Sequence, residues 1–155
     1  MKKYKFDNIV VSFEGSELLN YVDNHMRNSD KETGGIICGY YSEDKISAVI
    51  TDFLRPTKDS IFGKASFVRG VSGLKEILSE KWKEGKYYLG DWHLHPYSPP
   101  IASGQDASQL IQNSKDCSLK CPEPIMVIIG GKHNKDIKVY VCFNDSVHEC
   151  IEICN

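Results

Sequence analysis

The chain has 155 residues, with 19 basic against 21 acidic side chains and a formal net charge of −2. That is room for one domain, spanning 1–155, with its own core, and it argues against a broad nucleic-acid or membrane surface as the main partner. No stretch reaches the roughly 18 apolar residues that a membrane-crossing helix needs, and Met1-Lys2-Lys3-Tyr4-Lys5-Phe6-Asp7 lacks the apolar run of a signal peptide, so a cytoplasmic protein is expected. In that compartment the six cysteines, at 38, 117, 121, 142, 150 and 154, read as reduced thiols rather than a disulfide scaffold.

In chain order, Leu18, Leu19, Val22 and Met26 recur at helical spacing within residues 16–27, giving a helix with one apolar face. Residues 35–41, 45–53 and about 62–68 read as strands. A second helix, about 72–84, presents Leu74, Ile77, Leu78 and Trp82 inward and ends at Gly85, a natural C-cap. Residues 86–93 form a strand rich in aromatic side chains. Ser103 to Lys115 is helix-like with Ser103 at the N-cap, and strands at 124–129, 137–143 and 147–153 complete a sheet. Cys142, Cys150 and Cys154 fall in or near these last strands and read as small buried hydrophobes, whereas Cys117-x-x-x-Cys121 lies in a polar segment. Strands mixed with three helices indicate an α/β sandwich, a central mixed sheet flanked by helices.

The chemistry concentrates in His93-Leu94-His95-Pro96 and Ser103-Gly104-Gln105-Asp106. Alternation along a strand points His93 and His95 to one face, with Asp91 beside them. Pro96, Pro99 and Pro100 then stiffen a short loop that delivers Asp106 near a helix start. Two imidazoles and a carboxylate leave a fourth position open, the ligand set of a catalytic zinc. Asp91 has two readings: a carboxylate that fixes an imidazole tautomer, or, the reading preferred here, a solvated strand residue. His25, His133 and His148 lack ligand-like neighbours and read as surface or helix-face histidines.

His93-x-His95-Pro96 followed by Ser103-x-x-Asp106 resembles the signature of the JAMM metalloproteases, also called the MPN or JAB domain. Glu32, in Lys31-Glu32-Thr33-Gly34-Gly35-Ile36-Ile37-Cys38-Gly39, is similar to the family's upstream glutamate. The resemblance runs from about Glu14 to Phe143, and Asp91-Trp92 before the first histidine is closer to the prokaryotic JAB branch. It implies an MPN-type, cytidine-deaminase-like sandwich. It also implies one Zn2+ held by His93, His95 and Asp106, with Glu32 as general base and then general acid. Ser103 would donate to the oxyanion, act as a helix cap, or do both. Some members hold a second, structural zinc near the position of Cys117 and Cys121, although two thiolates are only half of such a site.

The resemblance further implies a zinc-dependent isopeptidase or peptidase that cleaves after the C-terminal glycine of a ubiquitin-like protein, for deconjugation or precursor maturation. The partners are then that protein or its conjugates, held by the C-terminal tail, together with E1- and E2-like pathway enzymes; no nucleic acid and no membrane is expected. Antiphage conjugation systems and sulfur-carrier processing are the two settings it suggests. Leu94 stands where many members carry Ser or Thr, which bears on substrate fit. The segment 57–67 lies where the family has its first insertion and is either a wall of the substrate groove or, as preferred for Phe62 and Phe67, part of the core. A non-catalytic MPN scaffold is the alternative of a different class, and the intact Glu32, His93, His95, Ser103 and Asp106 argue against it. A zinc nucleobase deaminase needs His-x-Glu and Pro-Cys-x-x-Cys, and neither is present.

Overall fold

The computed structural model describes residues 2–26, 28–44 and 46–154, and of Glu17 and Met26 only the backbone. The Met26 side chain in the expected first apolar face, and Lys45 at the start of an expected strand, therefore lie outside the described residues. Two strands unforeseen in the sequence open the fold. β1 (Lys3–Phe6) and β2 (Ile9–Phe13) form a hairpin whose turn uses Asp7 at a positive φ of 51°. Next come α1 (Glu17–Tyr21), prolonged by a wide π-helical turn at Val22–Met26, then β3 (Thr33–Tyr41) and β4 (Ser47–Phe53). The strand expected at 62–68 is instead a small hairpin, β5 (Ile61–Phe62) and β6 (Phe67–Val68), because Gly63 to Ser66 turn the chain back. α2 (Leu74–Lys83), β7 (Tyr87–Leu94), α3 (Gly104–Lys115), β8 (Ile125–Gly130) and β9 (Asp136–Phe143) fall where the sequence puts them. The last expected strand is broken in two at Cys150, giving β10 (Ser146–Glu149) and β11 (Ile151–Ile153).

Nine strands join in one mixed sheet in the order β10-β9-β8-β7-β3-β4-β2-β1-β11. β10 and β11 close opposite ends of this sheet, yet Cys150 alone separates them in the chain, so the sheet must roll until its two edges approach. Phe6 on β1 accordingly stacks on His148 of β10, with ring centroids 4.2 Å apart, and meets Phe143 of β9. Inside the roll lie Val11, Ile37, Ile50, Trp92, Val127 and Val139, closed by Leu18 and Val22 at the α1 end. On the outer face, Leu110 of α3 packs against Met126, Ile128, Tyr140 and Cys142.

The α2 helix corrects the sequence reading. Leu74 and Leu78 lean on Ile36, Cys38, Tyr88 and Cys121, but Ile77 and Trp82 are 38% and 58% exposed rather than inward. The helix thus rims an open groove of about 870 Å³ with Val71, Leu74, Leu78, Trp82, Tyr87 and Leu119 on its walls. Cys142 and Cys150 are buried as expected, while Cys154 is exposed. Among the described residues, no helix is long and apolar enough to cross a membrane.

Candidate active site

The site grows from the pairing of β3 with β7 on one side and β8 with β7 on the other. On β7, Trp92 and Leu94 point into the core while His93 and His95 take the outer face, as alternation requires. Antiparallel pairing sets Gly34 against His93 and Thr33 against Leu94, so Glu32, one step further, comes level with His95. A side chain at position 34 would run into the Trp92 carbonyl, the His93 ring and Phe67. Glycine is required there because the Trp92 carbonyl, fixed in the sheet, leaves no room for a Cβ.

The loop between β7 and α3 is fixed rather than slack. His95 N–H donates to the Ile129 carbonyl (2.8 Å), Tyr97 N–H to Asn134 Oδ1 (2.8 Å), and Tyr140 Oη to the Pro100 carbonyl (3.1 Å). It ends in a capping box: Asp106 N–H donates to Ser103 Oγ at 3.1 Å, and Ser103 N–H donates to Asp106 Oδ2 at 2.8 Å. That box orients Asp106, in the first turn of α3, toward β7. His93 Nδ1 is 3.1 Å from Asp106 Oδ1, and His95 Nε2 is 3.2 Å from Asp106 Oδ2. One ligand atom from each of the three residues lies within 4.8 Å of the others, a set able to hold a metal ion.

The electrostatics suit a cation. Burial alone would raise the Asp106 carboxyl, but hydrogen bonds from His93, His95 and the Ser103 backbone outweigh it and hold it well below the usual carboxylate range. Burial draws His95 downward; its hydrogen bond to Asp106, the charges of Asp106 and Glu32, and a hydrogen bond to the Pro99 backbone reverse that and leave it raised. That Pro99 contact is the kind of outer hydrogen bond that steadies a ligating ring. Burial raises Glu32, the nearby Asp106 charge adds to this, and the two histidines offset it only in part. Glu32, His93, Ser103 and Asp106 line one cleft of about 270 Å³, together with Phe67, Arg69, Asp91 and Gln109.

Two sequence expectations change here, and the Cys117–Cys121 pair stays the half site that the sequence suggests. Asp91 is not solvated: it is 2% exposed, its Oδ1 lies 2.9 Å from Arg69 Nε, and its Oδ2 accepts from Tyr88 Oη (2.9 Å) and Asn113 Nδ2 (2.7 Å). Phe62 and Phe67 are not core: Phe62 is exposed, and Phe67 meets the His93 ring edge-on at 5.7 Å. Cys117 is exposed while Cys121 is buried beside Tyr41, and among the described residues no third ligand joins them, His93, His95 and Asp106 being the only metal-ready group. Arg69, Gln109 and Asn113 were missed. Asn113 and Gln109 follow Asp106 by seven and three residues, so helical spacing alone puts all three on one face of α3. Arg69 carries no local signal.

Residues 17–143 match the family of prokaryotic homologs of the JAB domain. The chain is 39% identical over 123 residues to a protein of Enterobacter hormaechei subsp. hoffmannii (strain UCI 50) named CD-NTase/cGAS isopeptidase, covering 79% of this chain and 67% of that one. It is 29% identical over 112 residues to a protein of Sinorhizobium fredii (strain NBRC 101917 / NGR234) named "Probable metalloprotease y4qB", covering 68% of this chain and 66% of the other. The chain thus spans about two thirds of the length of these relatives. Its fold is similar to the solution structure of the Desulfitobacterium hafniense protein DSY2949, with a TM-score of 0.64 at 16% identity over 90% of this chain and 88% of that one. The rolled mixed sheet, the converging histidines and aspartate, and a family match over most of the length agree: the chain belongs to the prokaryotic JAB family.

Proposed function

We propose that this JAB-type isopeptidase uses zinc to hydrolyse the amide bond formed by the C-terminal carboxyl of a CD-NTase/cGAS-type protein, which takes the place the sequence resemblance gives to a ubiquitin-like protein. The setting is antiphage defence in the cytoplasm. The observation that carries the reading is the single cleft in which Glu32 and Ser103 share a lining with His93 and Asp106, taken with the name of the 39% identical relative. His93 Nδ1 and His95 Nε2 approach the two oxygens of Asp106 at 3.1 and 3.2 Å, and one ligand atom from each of the three residues lies within 4.8 Å of the others, a nitrogen and oxygen donor set of the kind that holds zinc.

A zinc ion held by His93, His95 and Asp106 would supply Lewis acidity to the scissile carbonyl and make water easier to deprotonate near neutral pH. Glu32, raised by burial, is the proton carrier. It takes a proton from the attacking water as the new C–O bond forms and delivers it to the departing nitrogen as the C–N bond breaks. Ser103 Oγ accepts from Asp106 N–H through a lone pair, which leaves its own O–H free to donate to the oxyanion. Phe67 supplies an apolar side wall next to His93. Arg69 lines both this cleft and the wide groove beside α2, so the cleft that would take a tail adjoins a surface able to seat the body of a protein.

The test is a CD-NTase/cGAS-type protein joined through its terminal carboxyl to a lysine side chain, with intact masses read after incubation. The parent should release both proteins with one water added across the bond, and Glu32→Gln should retain its zinc yet leave the conjugate whole. A zinc-loaded parent that cleaves neither this conjugate nor one made with a ubiquitin-like tail would overturn the reading.

A further inference from the structure

Among the described residues the β5–β6 hairpin pairs with no other strand, and it has only two residues on each side, which is too little to stand alone in water. Its base is closed by Asp59, whose carboxylate accepts from Val71 N–H and Ser72 N–H at 3.0 Å each, and by Ser60 Oγ, which accepts from Gly70 N–H. Toward the cleft it has three anchors. Glu32 N–H donates to the Gly63 carbonyl at 2.7 Å. Phe67 lies against His93. Arg69 Nε lies 2.9 Å from the Asp91 carboxylate.

The last two anchors share a spacing. Phe67, on β6, and Arg69, just beyond its end, are two residues apart, as are their targets His93 and Asp91 on β7, so the two segments meet at matched points. Asp91 also faces α3. Its carboxylate accepts from Asn113, which lies on the helix face that carries Asp106, and Gln109 Nε2 donates to Asn113 Oδ1 at 3.0 Å. A β-bulge in the β3–β7 pairing, with Gly90 at φ 149°, brings Tyr88 onto the face of Asp91, so that its hydroxyl donates to Asp91 Oδ2 beside Asn113 and leaves Oδ1 to face Arg69. The same strand and helix thus supply two successive rows of polar contacts, one of metal-ready residues and one centred on Asp91. A buried carboxylate without its cation is strongly disfavoured, so Asp91 ties Arg69, and the hairpin with it, to one place.

We propose that the Arg69–Asp91 pair is a latch that fixes the hairpin over the metal-ready triad, and that both are positioning residues for hydrolysis. The kinetic half of this rests on the isopeptidase reading; the placement of the hairpin does not. Displacement of a positioning group by about 1 Å can cost on the order of 100-fold in rate.

The test compares Arg69→Ala, Arg69→Lys, Asp91→Asn and the double variant Arg69→Ala/Asp91→Asn with the parent. It measures zinc per chain, hydrogen–deuterium exchange of amides 61–68, and kcat and KM on the lysine-linked conjugate described above. Arg69→Ala should keep zinc, exchange faster in 61–68 and lose on the order of 10- to 100-fold in kcat/KM. Arg69→Lys, which keeps the charge and loses the planar fork, should recover part of the loss. The double variant should be little worse than Arg69→Ala, as expected for two halves of one contact. Unchanged protection of 61–68 in Arg69→Ala, losses that multiply in the double variant, or a rate loss matched by zinc loss would each overturn the latch. An inert but zinc-loaded parent would count against the isopeptidase reading instead, and exchange alone would then decide the latch.

Discussion

Ser103 is the residue at which two roles overlap most closely. Its Oγ caps α3 by accepting from Asp106 N–H, and the hydroxyl proton that this leaves free is the one assigned to the oxyanion. Glycine at an N-cap costs only a few tenths of a kcal/mol relative to serine, whereas alanine costs about 1 kcal/mol. Ser103→Gly should therefore melt close to the parent while turnover falls roughly 10²–10³-fold, the usual loss of one oxyanion donor. Thermal unfolding and conjugate cleavage measured on the same samples would check this, and parental turnover in Ser103→Gly would leave the residue as a cap alone. The carboxylates divide in a similar way. Asp106 is kept ionised by histidines and a backbone N–H, and Glu32 is pushed by burial toward its protonated form, so neighbouring acids are readied for different work.

At the scale of elements, β7 shows how local irregularity builds the site. The bulge beside Gly90 re-phases the strand so that Tyr88, Asp91, His93 and His95 all serve one face. A Cβ at position 90 would overlap the Ile125 carbonyl, and φ 149° is unfavourable for other residues. Gly90→Ala should cost about 3 kcal/mol, seen as a lower denaturant midpoint; a midpoint equal to the parent's would mean that the strand tolerates regular pairing. The α2 helix illustrates the opposite case, a periodic apolar face left largely open. If its groove seats the body of the substrate protein, Trp82→Ala, at an exposed position on the groove wall, should raise KM for the protein conjugate about tenfold, as loss of one central contact does, and leave cleavage of a short lysine-linked tail peptide unchanged. Equal effects on both substrates would place the residue in folding rather than docking. Here sequence and structure part for a physical reason: helical period reports an apolar stripe but not what covers it, so Trp82 and Ile77 read as buried.

Across the whole molecule, charge outside the site carries a pH dependence of its own. Burial would raise the Asp52 carboxyl, but hydrogen bonds from Lys81, Thr51 and Lys86 outweigh it and lower it to about 2, with Lys81 and Lys86 at 2.8 and 2.9 Å. A carboxylate depressed in the folded state adds stability above its unfolded value, near 3.9, and that stability is lost as pH falls toward 2. After allowance for solvent screening it amounts to about 1 kcal/mol. Asp52→Asn should thus be less stable than the parent at pH 7 and converge with it by about pH 2 in urea unfolding. A constant difference across that range would assign the effect to packing.

How much of this molecule can be read from the chain follows from the same physics. His93, His95, Ser103 and Asp106 are legible because strand alternation and a helix cap are local rules; His93, Ser103 and Asp106 line one cleft with Glu32, and His95 reaches the same group through Asp106. The Arg69–Asp91 pair is not legible, since it joins residues on separate elements through a turn and a bulge that leave no periodic trace. The rolling of the sheet, which makes one continuous expected strand into β10 and β11, likewise depends on the whole sheet's twist.

The most direct measurement is zinc per chain by elemental analysis, on protein purified without a metal-affinity tag, for the parent and for His95→Ala. One zinc per parent chain and none in the variant is the expected result. A parent without zinc after supplementation, or a variant that keeps it, would contradict the assignment of His93, His95 and Asp106 as the ligands of a catalytic metal.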